Sequence, residues 1–235
     1  MIRDEESAMA AQGSRRDTVI AGLAGVLWVA LALARVPLTG VLDQPSWNDD
    51  PSSIVDFYAN SSFDAAFMAG MALATVAYVF FLVFMAKAAY VLGHSVGGSG
   101  WLGYLILGGA ALDVSLVYAY LAPFAAAVFW AGHGGLSADA YLSLHGLSFS
   151  ILWMNMITAS VWLVPLGVAI VRTRLFPRWL GWLMLANAAS LLVAFFLSYD
   201  VWAVLSGLPY LWVLAAAIMM LRRPDRYSTA VEAPV

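Results

Sequence analysis

The sequence contains no cysteine, which removes disulfides, thiol redox chemistry, thiolate-bound zinc and iron–sulfur centres. Charge is also scarce. Only 11% of the 235 residues are Asp, Glu, Lys or Arg, against roughly a quarter in an ordinary soluble domain. The net charge is −3 with no basic face, which excludes nucleic acid as a partner. Histidine occurs three times, too few for most metal or haem sites built without cysteine. What is abundant is apolar surface: 63% of residues are hydrophobic and the mean hydropathy is +0.85. A water-soluble globule is incompatible with these values. A polytopic membrane protein with the lipid bilayer as its main partner fits them.

A helix needs about 20 mostly apolar residues to cross about 30 Å of hydrocarbon. Six stretches qualify: Thr18 to Val41, Phe63 to Leu92, Trp101 to Ala131, Tyr141 to Val171, Trp179 to Ser198 and Val201 to Leu221. None shows the alternation of a barrel strand, and an open sheet would leave backbone groups unpaired in lipid, so the fold class is all-α. The expected organisation is a tail over 1–17, a six-helix transmembrane domain over 18–222 and a second tail over 223–235, both tails mobile and cytoplasmic. Turn chemistry separates the spans: a glycine- and serine-rich stretch at 93–100, Gly132-His133-Gly134-Gly135, Phe176-Pro177-Arg178, and a short link through Ser198-Tyr199-Asp200. Arg15-Arg16 followed by an apolar run and Ala32-Leu33-Ala34 has the outline of a signal peptide. The run is longer than the usual signal core, and five spans follow it, so it is read as the first membrane helix.

Basic residues set the orientation. With the N-terminus in the cytoplasm, ten of the eleven Lys and Arg residues lie on that side and only Arg35 lies opposite. Both termini are therefore expected in the cytoplasm, and the membrane is expected to be the inner (plasma) membrane of a bacterium. The one sizeable loop, 42–62, lies outside. There Asp50 can cap a helix opened by Pro51, with Ile54, Phe57 and Tyr58 on one face, lying on the membrane surface or lidding the bundle; the alternative is an irregular loop packed on the bundle. No internal repeat is visible, which counts against a transporter built from inverted halves.

A few polar residues stand out because the bilayer makes them costly. Asp113 lies about 18 Å into the third span, where a charged aspartate costs at least about 2.5–3.5 kcal/mol. His145 sits at a similar depth in the fourth span and is a candidate partner, with Ser115, Tyr118, Ser148 and Asn155 near in sequence. The pair could relay a proton, bind a ligand or hold two helices together, so Asp113 and His145 are the candidates for any catalytic role. Arg35 and Asp64, at the outer ends of the first two spans, are candidates for a structural ion pair. Arg172, Arg174 and Arg178 are expected to anchor at anionic headgroups. Lys87 can snorkel. Trp101, Trp179 and Trp182 inside, with Trp130, Tyr141, Tyr199 and Trp202 outside, form interfacial belts.

Known membrane chemistries find little support. Bis-histidine haem fails because His94 and His133 fall in loops on opposite sides, a rhomboid-type protease lacks its histidine, and a retinal lysine is absent at mid-helix. Neither a cofactor nor a metal is expected. Leu144-His145-Gly146 and the stretch Arg172-Thr173-Arg174-Leu175-Phe176-Pro177-Arg178-Trp179-Leu180-Gly181 resemble an uncharacterised family of six-helix bacterial integral membrane proteins, a domain of unknown function. In that family a basic Phe-Pro-Arg-x-Leu-Gly loop joins helices four and five. Phe63 and Phe67 fit the resemblance, whereas Ser150 and Asp64 depart from it. The resemblance implies the six-helix architecture and no reaction. The reading taken forward is a non-enzymatic bundle that binds a lipid or another apolar or amphipathic ligand. The alternatives are a proton-coupled permease using Asp113 and His145, and a small membrane enzyme using Asp113 as general acid on a lipid or polyprenoid.

Overall fold

The computed structural model describes residues 2–40, 43–46, 48–96, 100–194 and 207–228, with 2–12 and 194 described in backbone only. They form nine helices: α1 (Ile2–Ala34), α2 (Val36–Thr39), α3 (Pro51–Ala59), α4 (Ala65–Ser95), α5 (Trp101–Ala131), α6 (Ala138–Thr173), α7 (Arg178–Ala194), α8 (Leu208–Arg222) and α9 (Pro224–Ser228). There is no strand among the described residues. Four segments are long and apolar enough to cross a membrane: Gly13–Thr39, α4, α5 and α6. The described parts of α7 and α8 are apolar but shorter, about 25 and 22 Å at 1.5 Å per residue. The expected start of the last span at Val201 lies outside the described residues, as do Ser198, Tyr199, Asp200 and Trp202.

Local sequence explains the helix ends. Asp50 accepts from the Ser52 amide and Pro51 opens α3. Asp64 caps α4 by accepting from the Phe67 amide at 2.9 Å, and Ser137 caps α6 through the Ala140 amide. Arg174 ends α6 in the left-handed region at φ 56°. Pro123 and Pro165 lie inside α5 and α6, where neighbouring helices can re-satisfy the freed backbone groups.

The bundle is built by α1 packing on α4 and α8, α4 on α5, α5 on α6, and α6 on α7. Small residues set the closest approaches. A side chain at Gly181 would meet the Gly167 carbonyl oxygen at 2.8 Å, so α6 and α7 touch through their backbones. One core cluster runs through the bundle and includes Trp28, Phe81, Phe84, Trp162 and Trp212, while Leu23, Val79, Met154 and Leu211 point outward. A second cluster, at the α3 end of the bundle, joins Ile54 and Tyr58 of α3 to Phe67, Phe124 and Tyr141. Of the readings of this segment, α3 follows the lid: it is a helix, and its apolar face packs on α5 and α6.

Both expected tails carry structure. α1 begins at Ile2, so residues 2–17 continue the first helix rather than precede it. Beyond Arg222, α9 folds back. Ser14 donates to the Ser228 carbonyl at 3.1 Å, Arg15 meets Asp225 at 3.2 Å, and Tyr227 stacks on Phe176 at 4.9 Å.

Candidate functional site

Asp113 and Asn155 meet across the α5–α6 contact. The Asn155 amide donates to the Asp113 carboxylate at 2.8 Å and to its backbone carbonyl at 3.1 Å. Seven residues on from Asn155, two helical turns, Trp162 stands on the same face of α6. Gly109 lets the two helices approach closely there: a Cβ at that position would lie 2.9 Å from the Trp162 backbone nitrogen. The buried Trp162 indole N–H lies beside the carboxylate without closing a hydrogen bond to it. The partner of Asp113 is therefore Asn155, and no ion pair or hydrogen bond joins it to His145.

Arg35 occupies the joint between α1 and α2. Asp64, its expected ion-pair partner, instead caps α4 and accepts from the Ser62 hydroxyl, and the two residues form no salt bridge. Those amide and hydroxyl donors, the Phe67 amide foremost, hold the Asp64 carboxyl below the usual carboxylate range. The Arg35 Nε and Nη1 atoms are buried and have no hydrogen-bond partner. The guanidinium is hydrogen-bonded to the Tyr210 hydroxyl, and both it and the Asp113 carboxylate lie within electrostatic range of the Tyr78 hydroxyl. Trp28, two turns before Arg35 on the same face of α1, stacks on Tyr210 at 4.6 Å with an interplanar angle of 3°, and tilts on Phe81 at 4.7 Å. Phe81 meets Trp162 edge-on at 5.8 Å, and Tyr78 meets Tyr118 at 5.7 Å. The Trp28 indole N–H is also buried and unpartnered. Arginine, aspartate and a ring of aromatic side chains from α1, α4, α5, α6 and α8 thus converge inside the bundle.

At the α3 end of the bundle a second polar group forms a continuous hydrogen-bonded chain. The Tyr120 hydroxyl donates to Gln44 Oε1 at 2.8 Å, and Gln44 Nε2 donates to the Tyr58 hydroxyl at 3.1 Å. Tyr58, accepting from Gln44, passes its own proton toward His145 Nδ1 at 3.2 Å. That assignment places the ring proton on Nε2, which is buried and lacks a partner. Tyr58 is 0% exposed and stacks on Tyr141 at 5.7 Å. Burial pushes its phenol up to about 12 against the opposing effect of the Gln44 hydrogen bond. Tyr141, expected in the aromatic belt, belongs to this core because its ring is covered by Tyr58. Trp101, Trp179 and Trp182 are exposed as belts require. Beside α3 a cavity of ≈ 330 Å³ opens, lined by Leu38, Thr39, Asp43, Phe57, Asp64 and Phe67 among others.

Arg172, Arg174 and Arg178 are exposed around the α6–α7 turn, where the Arg174 carbonyl accepts from Arg226 at 2.9 Å. His94, expected in a loop, sits in the last turn of α4, and His133 stacks on Phe129 at 4.2 Å. Among the described residues no group of three His, Asp or Glu could hold a metal. Gln44, Asn155 as the partner of Asp113, Tyr78 and Tyr210 were missed by sequence reasoning. Asn155 alone left a signal, as an amide inside an apolar span.

An all-helical chain with four membrane-length apolar helices and a polar centre enclosed by them is a helical membrane protein. The family described as Domain of unknown function (DUF4386) matches residues 23–222, and the chain belongs to that family. No curated protein and no solved structure matches it.

Proposed function

We propose that this chain is a six-span, non-enzymatic protein of the bacterial inner membrane, with both termini in the cytoplasm, and that it binds an amphipathic ligand in its polar centre. The observation that supports binding is the set of buried, unpartnered donors on Arg35, Trp28 and Trp162 within a ring of aromatic side chains. A buried polar group without a partner costs roughly 1–3 kcal/mol, and more if charged. Such groups persist where something other than stability selects them. The orientation rests on the basic asymmetry, with Arg172, Arg174 and Arg178 as headgroup anchors. A relay between Asp113 and His145 has no support from geometry, because the two belong to separate hydrogen-bond groups.

The test is to purify the full chain in mild detergent, identify retained small molecules by mass spectrometry, and measure rebinding after delipidation. A retained amphiphile near one per chain, lost in Trp28→Ala with Trp162→Ala, is the expected result. A chain that retains and rebinds nothing would overturn the reading. Reporter fusions after Arg226 test the topology, and a periplasmic signal there contradicts it.

A further inference from the structure

We infer that the ligand of the polar centre carries an anionic headgroup, a carboxylate or a phosphate, and that Arg35 is its anchor. This rests on the binding reading above and specifies its chemistry. The argument is the sign of the imbalance. The unpartnered buried atoms at the centre are Arg35 Nε, Arg35 Nη1, Trp28 Nε1 and Trp162 Nε1, and every one is a donor. Guanidinium and indole have no acceptor lone pair to offer, and arginine stays charged at any working pH. The site therefore lacks acceptors and negative charge.

The protein's own carboxylates do not supply them. Asp113 is engaged by Asn155 and makes no salt bridge with Arg35, and Asp64 is spent on capping α4. The Tyr210 hydroxyl takes one hydrogen bond from the guanidinium, but neither it nor the Tyr78 hydroxyl carries a formal charge. A hydrocarbon ligand would leave all four donors unmatched, an amine would add donors and repel the guanidinium, and an alcohol brings one oxygen. A carboxylate or phosphate brings two or three acceptor oxygens and the missing charge, in charge-assisted bonds about twice as strong as neutral ones. The wall of Trp28, Phe81, Trp162 and Tyr210 then lies against the group that bears the headgroup.

The experiment uses the delipidated full chain in detergent and equilibrium binding of labelled hexadecanoate, lysophosphatidate and hexadecanol, with acetate and inorganic phosphate as competitors. The two anionic amphiphiles should bind at least about tenfold tighter than the alcohol, a difference of about 1.4 kcal/mol. Arg35→Gln should remove that preference, bringing the two acids to the affinity of the alcohol measured on the same variant, and Arg35→Lys should keep most of it. Retention of folding by Arg35→Lys, and by Trp28→Phe, which removes one donor and keeps the ring, guards against a merely unfolded variant. Competition by acetate or phosphate alone at comparable concentration assigns the site to a free anion. Its absence assigns it to a lipid-borne one, and both outcomes support the anchor. Equal binding of acid and alcohol, or an acid preference that survives Arg35→Gln, overturns the anionic headgroup while the amphiphile site stands. Binding of none of the probes overturns both.

Discussion

The two polar groups of the bundle are wired in opposite ways. At the α3 end Tyr120, Gln44, Tyr58 and His145 form a chain in which each donor finds an acceptor until the last nitrogen. At the centre, Arg35 Nε and Nη1 and the Trp28 and Trp162 indole N–H groups are buried without a hydrogen-bond partner. The chain therefore holds the lid helix α3 to α5 and α6. The centre lowers stability in the isolated chain. In the binding reading proposed above, the contrast sets a chain whose links are matched up to its last nitrogen, which fixes geometry, against a centre of unmatched donors, which a ligand would stabilise.

Mutation should expose the contrast with opposite signs. Arg35→Met removes the buried guanidinium and fills its volume with an apolar chain. By analogy with the replacement of buried ions by hydrophobic side chains, it should stabilise the delipidated protein, by about 1–4 kcal/mol, while abolishing ligand-dependent stabilisation. Tyr58→Phe keeps the ring stacked on Tyr141 but strands Gln44 Nε2 and His145 Nδ1, and should destabilise by about 1–3 kcal/mol. Thermal unfolding in one detergent measures both. A drop in melting temperature for Arg35→Met would erase the distinction between the groups.

A smaller effect sharpens it at Asp113. Asp113→Asn retains size and hydrogen-bonding capacity toward Asn155, so stability should hold. Asp113→Leu leaves the Asn155 amide without its side-chain acceptor, a loss of about 0.6–2 kcal/mol in a membrane bundle. The double variant Asp113→Asn with His145→Gln should be additive, because no contact joins the two sites. A coupling beyond about 0.5 kcal/mol would reinstate the relay.

What was legible in the sequence was whatever one span could reveal alone. Long apolar runs marked four helices, and Asp50-Pro51 with Ile54 and Tyr58 announced both the lid helix and its buried face. Facing was not legible. These helices are apolar on the lipid side as well as on the inner side, so no periodic stripe marked Trp28, Tyr78 or Trp162 as inward. Pairing by depth joined Asp113 to His145 and Arg35 to Asp64, yet depth is only one coordinate. Asn155 stands three turns below His145 on α6 and reaches Asp113, and the break after Ala34 turns Arg35 toward the tyrosines. Gln44 is a single amide in a loop, and its role exists only once Tyr58 and Tyr120 are brought to it.

The smallest expected effect concerns acid, and it touches the α3 end alone. The Asp64 carboxyl is held below its ordinary value by the donors at the start of α4, so the folded state binds its proton less readily than the unfolded chain does. The cap's contribution is therefore complete above the ordinary carboxylate value, near pH 4, and is lost as pH falls through the lowered folded value. Asn also caps helices but does not titrate, so Asp64→Asn should start slightly less stable at neutral pH and converge on the parent as the solution is acidified. The carboxylate is exposed, so added salt should shrink the difference. Melting temperatures of the two proteins from pH 7 to pH 3 test this. Parallel curves, or curves that diverge in acid, would show that Asp64 does not act through its charge at the helix start.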